Sequence, residues 1–361
     1  MKQSSTVGHA LADFCEPAFS VFRPSLSTIL LLLTALTSPA QNRFRSEVDS
    51  AYVQTFRGKL TGRAYLSQKY TSFNLSTPTA ETPALRFLPN APLNLGIGAT
   101  FNALTLNLAY GLSFLNKNNG KGETSNIDLQ THVYTRKWVL DGVAQFYNGY
   151  FLTPRGRAAA SPELYYHRPD LRVRLVGGAI RRVFNFRRFS FRASFVQNEW
   201  QKQSAGTWLT GFQFYYGIVQ GDSALVPEQV QPNFPDEDVR RMRFLKLGPS
   251  AGYAYTFVYR QNWFATASLM GNLNATFSKE RFENRDQTRS NVRPDLLFQV
   301  VGGYNSNRWC VTLGWINGSV TVRNPLYHYT VHTGNYRFTV ARRFIANSRL
   351  RKLVPETIKV L

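Results

Sequence analysis

Residues 263–277 read Trp263-Phe264-Ala265-Thr266-Ala267-Ser268-Leu269-Met270-Gly271-Asn272-Leu273-Asn274-Ala275-Thr276-Phe277, and this stretch decides the fold class. Trp263, Ala265, Ala267, Leu269, Leu273, Ala275 and Phe277 share one parity. Thr266, Ser268, Asn272, Asn274 and Thr276 share the other. Successive side chains of a strand point to opposite faces, so this is a strand with one apolar and one polar face. It is far longer than the ~5–6 residues usual in a soluble sheet, and a tilted strand needs ~9–11 residues to cross the apolar core of a bilayer.

One such strand is weak evidence; repetition along the chain makes the case. Leu104, Leu106, Leu108, Tyr110, Leu112 and Phe114 alternate with Thr105, Asn107, Gly111 and Ser113. Phe189, Phe191, Ala193 and Phe195 alternate with Arg188, Ser190, Arg192 and Ser194, and Trp309, Val311, Leu313 and Trp315 with Cys310, Thr312 and Gly314. Wall strands are expected near 60–73, 92–101, 104–114, 124–136, 137–150, 171–184, 187–200, 206–219, 243–259, 262–277, 293–305, 308–321 and 333–345. Single-chain bacterial barrels carry an even number of strands. A further short strand near 222–230 brings the expected total to fourteen, with twelve as the other even choice. The fold class is therefore all-β, a transmembrane antiparallel up-and-down β-barrel of 12–14 strands. Tight turns at 102–103, 136–137, 185–186, 261–262 and 306–307 alternate with long polar segments, which places the long ones outside the cell.

The N-terminus supplies an address. An apolar run, Ile29 to Leu36, follows Arg23 and precedes Ser38-Pro39-Ala40, the layout of a secretory signal with a small-residue cleavage site. Residues 1–40 are read as a Sec signal peptide, 41–58 as a periplasmic linker, 59–345 as the barrel and 346–361 as a basic tail. Of the two cysteines, Cys15 falls in the leader and Cys310 in the wall, leaving no intramolecular disulfide or thiolate cluster after cleavage.

The formal net charge is +22. Lys2 and Arg23 balance Asp13 and Glu16 in the leader, so the mature chain keeps the whole excess. No nucleic-acid motif accompanies it, and the expected partners are outer-membrane lipids, lipopolysaccharide phosphates and small anionic solutes. Arg63, Arg172, Arg174, Arg188 and Arg192 are expected to face the lumen, with Asp128, Asp141 and His132 as their partners there. Arginine at the bilayer midplane on the lipid side costs ~2–4 kcal/mol. Tyr65, Tyr134 and Tyr215 share the inward parity and should narrow the passage.

The hairpins resemble a family. Leu93-Asn94-Leu95-Gly96-Ile97-Gly98-Ala99-Thr100-Phe101, Gln201-Lys202-Gln203-Ser204-Ala205-Gly206 and Gly334-Asn335-Tyr336-Arg337-Phe338-Thr339-Val340 are similar to an uncharacterised group of outer-membrane barrels of Gram-negative Bacteroidota, catalogued as domain of unknown function 4421. The resemblance covers about residues 50–345. It implies an outer-membrane barrel and supplies no catalytic residues.

No catalytic, cofactor or metal site is expected. No G-x-S-x-G elbow is present, and Gly96-x-Gly98 and Gly120-Lys121-Gly122 lack the rest of a dinucleotide or phosphate loop. His328 and His332 lie four residues apart, ~13 Å in an extended strand, which is too far to share a metal alone. The sequence thus points to a monomeric, non-enzymatic barrel with a basic lumen, either a narrow or plugged channel or a structural wall protein. A lipid hydrolase of the outer membrane, or a barrel whose loops bind a ligand, is the alternative.

Overall fold

The computed structural model describes residues 48–345 apart from 57, 79–81, 102–103, 117–118, 235–237, 284 and 324–326. The expected signal peptide, residues 41–47 of the linker and the C-terminal tail fall outside the described residues.

The chain forms β1 (Val53–Thr55), β2 (Lys59–Ser76), β3 (Leu85–Leu88), β4 (Asn94–Phe101), β5 (Leu104–Gly111), β6 (Ser125–Tyr134), β7 (Trp138–Thr153) and β8 (Tyr166–Val183). Then come β9 (Glu199–Gln201), β10 (Ala205–Gln220), β11 (Arg241–Tyr259), β12 (Trp263–Arg281), β13 (Asp286–Asn305), β14 (Trp309–Arg323) and β15 (His328–Ile345). Thirteen of these make one antiparallel sheet, and β1 pairs with β9 in a small separate one. The ring runs β2-β15-β14-β13-β12-β11-β10-β8-β7-β3 and closes between β3 and β2, ten strands in all. β4 and β5 extend the sheet from β2, and β6 pairs with β7.

The orientation of each face follows from the alternation. On β12, Leu269, Leu273 and Phe277 are more than half exposed, whereas Thr266, Ser268, Asn272 and Asn274 are buried. The apolar parity therefore faces outward, the reverse of a soluble sandwich and the arrangement of a barrel in lipid. Trp138, Trp263 and Trp309 start β7, β12 and β14, and Trp208 lies near the start of β10. All four are exposed at the short-turn end, where an aromatic girdle meets the bilayer interface.

Two expected strands are not strands of the wall. Residues 187–200 form a π-helical turn at Arg192–Val196 followed by β9. The reason lies in their neighbours: β8 pairs directly with β10, Val183 opposite Leu209, so no slot remains for the segment between them. Residues of both parities are buried there instead, Phe189, Phe191 and Ala193 as well as Ser190 and Ser194. Residues 222–230 make no strand either. Pro227 and Pro232 cannot donate to a ladder, and Glu228–Asn233 is a 3-10 turn. Conversely β3 lies in a segment read as loop, because Leu85 and Phe87 bury their side chains completely under the outer loops. The irregular register between Asn148 and Tyr150 is a bulge whose Gly149 has φ +86° and abuts the Glu123 carbonyl. A side chain there would be strained and obstructed.

Candidate functional site

The lumen is filled in three layers. At the long-loop end Phe73, Phe87, Leu152, Val173, Val219 and Phe244 form part of an apolar cluster that includes Leu225, Val226 and Phe234 of the loop between β10 and β11. That loop therefore caps the barrel with its own side chains. Arg157, in the loop after β7, donates to the carbonyls of Pro83 and Ala84 and ties two outer loops together.

A polar layer follows. Lys246 is almost wholly buried and pairs with Asp295. Asn274 donates to that carboxylate at 3.2 Å and receives a bond from Gln213 at 3.0 Å. Asp128 accepts from Tyr147 at 2.7 Å and Gln145 at 3.0 Å, with Lys69 Nζ 3.5 Å away. Asp141 bonds His132 Nδ1 at 2.6 Å and pairs with Arg181. Each of these three carboxylates has a cationic partner, without which burial would cost several kcal/mol.

The third layer is a plug at the short-turn end, built from residues 185–201. Phe191 and Phe195 stack on Tyr134 of β6, with ring centroids 6.0 and 5.5 Å apart. Ser194 Oγ meets Thr266 Oγ1 of β12 at 2.7 Å. Buried Glu199 accepts from Arg136 at 2.6 Å and Ser190 at 2.5 Å and lies 3.5 Å from Arg192. Arg343 of β15 donates to the Gln197 carbonyl, and Asn305 of β13 to the Glu199 carbonyl. The segment is thus held by strands from several sides of the mouth. A cavity between Phe191, Val139, Arg181, Met270 and Leu297 has a volume of about 10 Å³, room for about one water.

Against this geometry the sequence-predicted residues divide. Arg63, Asp128, Asp141 and His132 lie on the lumen side of the wall. Arg172, at the long-loop end of β8, is partly exposed with Asp222 3.4 Å away, and Arg174 lies two residues along the same strand. Arg188 sits beside the plug, 3.3 Å from Asp49 and over the Tyr52 ring, and Arg192 belongs to the plug itself. The five arginines do not form one cluster. Arg181, Glu199, Lys246, Asp295 and Arg337 were not singled out from the sequence, although Lys246 and Arg337 stand on the inward parity of β11 and β15 and were legible by that signal. The Glu199 contacts depend on the π turn, which no local pattern announces. Among the described residues no serine, threonine or cysteine hydrogen-bonds His132, so its contact with Asp141 orients the ring without an adjacent nucleophile.

A model of a family described as "domain of unknown function (DUF4421)" matches residues 47–344. The chain belongs to this family. The DUF4421 match spans both barrel and plug. No curated protein matches the sequence. Solved structures with a similar trace include the outer membrane protease OmpT from Escherichia coli, with a TM-score of 0.35 at 8% identity over 80% of this chain and 98% of that one. The P. putida toluene transporter TodX gives 0.27 at 9%, over 81% and 92%. Outer-membrane expressed OmpT of Vibrio cholerae gives 0.27 at 6%, over 81% and 100%. Likeness of this degree does not separate a protease from a channel.

Proposed function

We propose that this DUF4421 protein is a plugged wall protein of the outer membrane, monomeric, contacting lipid and lipopolysaccharide through its apolar belt and basic rim, and without a permanent aqueous route through its lumen. The observation that carries the reading is the filling of the barrel in successive layers along its axis. A cap of Leu225, Val226 and Phe234, a layer of paired charges and the Phe191–Tyr134–Phe195 stack follow one another from mouth to mouth. The exposed apolar belt and the tryptophan girdle support the placement in a bilayer, and a secretory leader supports export. Arg172 lies at the rim, Arg188 and Arg192 at the plug and Arg181 beside Asp141, so these arginines do not make the ring of unpaired cations around water that a selectivity filter needs.

Liposome swelling tests the reading. Vesicles carrying the refolded protein should take up small anionic and neutral solutes no faster than protein-free vesicles. Uptake that falls with solute size, and with an anion preference, would replace it with the narrow channel. Hydrolysis of vesicle lipid that disappears in His132→Ala would replace it with the hydrolase.

A further inference from the structure

The wall has a seam. β5 pairs with β4 and β6 with β7, but β5 and β6 do not pair with each other. In the half of the barrel nearer the short turns, two strand edges therefore face one another without ladder bonds; the Leu108 carbonyl accepts from the Tyr65 hydroxyl at 3.2 Å and the Asp128 carbonyl from Lys69 Nζ at 3.0 Å. A strand with a partner on one side only leaves the N–H and C=O of alternate residues directed into the gap, and bare edges of this kind are not tolerated in hydrocarbon. The outward flanks of the seam are apolar, with Leu106, Leu108, Tyr110, Ile127 and Leu129 all well exposed. The inward side is open too: Asn107 and Ala109 face the lumen yet are exposed, whereas lumen-facing Thr266 and Asn274 on the far wall are buried.

Behind this opening lie two cations without a counter-charge. Arg63 is 6% exposed and donates through Nη2 to Thr100 Oγ1, while its Nε has no acceptor. Arg337 stacks on the Tyr65 ring at 3.7 Å, and its shielded Nε and Nη2 have no acceptor. Among the described residues neither forms an ion pair, in contrast to Lys246, Arg181, Arg168 and Arg136. Arg63, Gly98 and Asn107 stand side by side on β2, β4 and β5. The arginine is thus two strand spacings, about 10 Å, from the free edge. Leaving one cation buried and unpaired is strongly unfavourable, and leaving two together more so.

We propose that the seam admits the headgroup of an anionic phospholipid from the bilayer, its phosphate bound by Arg63 and Arg337 and its acyl chains lying along Leu106, Leu108, Ile127 and Leu129. One occupant then satisfies three observations: the edges without ladder bonds, the apolar flanks and the unpaired guanidinium groups. The site is lateral and does not depend on whether the lumen conducts.

The test is native mass spectrometry of the purified full chain, titrated separately with phosphatidylglycerol, phosphatidylcholine and inorganic phosphate. Phosphatidylglycerol should be retained in preference to phosphatidylcholine. Arg63→Gln/Arg337→Gln should weaken its binding about tenfold or more, the scale of lost hydrogen bonds to a charged group, and abolish the headgroup preference. Ala109→Trp, which fills the opening and leaves both arginines, should weaken it as well. Equal retention of the two lipids overturns the proposal, as does unchanged binding in the folded double variant. Should the double variant not fold, unchanged binding in Ala109→Trp overturns it. Arginine-dependent binding of inorganic phosphate without binding of the lipid also overturns it, in favour of a free anion.

Discussion

Replacing Lys246 by methionine probes the filled lumen at its most buried charge. The Lys246 side chain is 1% exposed, and its ammonium contacts the Asp295 carboxylate and, at 3.2 Å, the Thr321 carbonyl. Methionine keeps most of the volume but strands Asp295, itself nearly buried, with only its neutral amide neighbour Asn274 at 3.2 Å. Removing one member of a buried pair costs ~3–5 kcal/mol. The surviving amide bond puts this case toward the lower figure, about 3 kcal/mol by the same reasoning. Lys246→Met/Asp295→Leu removes both charges and should recover most of the loss, since an apolar replacement of a buried pair is often neutral. Urea titration of the refolded barrel in micelles, followed by tryptophan fluorescence and by the gel shift of the folded form, measures all three proteins. A loss below about 1 kcal/mol for the single variant would match a solvated surface pair and refute the dry, filled lumen.

Three other outcomes are expected. Leu273→Arg places a cation on the outward face of β12 and should cost ~2–4 kcal/mol in the same assay if that face meets lipid near the midplane. Phe191→Ala should open a cavity in the plug, cost ~3–5 kcal/mol if the mouth is packed like a core, and raise solute leakage through vesicles. Cys310 is fully buried, so a maleimide should label it slowly in the folded protein and fast in denaturant; rapid labelling of the folded barrel would contradict its place in the wall.

The long two-faced strands were readable because their pattern is local. In β12 each residue of 263–277 reports its face by chemistry alone, and the tryptophans at strand starts mark the interface in the same way. The same rule failed at 187–200, where Phe189, Phe191 and Phe195 alternate with Arg188, Ser190 and Arg192 as a wall strand would. What removes the segment from the wall is the direct pairing of β8 with β10, a non-local fact. Leu85 to Leu88 was unreadable for the opposite reason: four residues are too few for periodicity, and only the gap between β2 and β7 makes them a strand. Among charges, parity pointed inward for Arg63 and Asp141 but could not choose partners. Asp141 meets Arg181 rather than Arg63 because β8 is hydrogen-bonded to β7 and β2 is not. The unpaired state of Arg63 and Arg337 likewise appears only when every carboxylate within reach has been assigned.

Planar-bilayer recording of the refolded full chain bears most directly on the filled barrel. Insertion is verified by recovering the heat-shifting folded form from the same lipid. Membranes containing the protein should stay silent, without stable conductance steps, across moderate potentials and salt concentrations. Steady, uniform steps from each inserted molecule would show an open aqueous path and contradict the three-layer closure of the lumen.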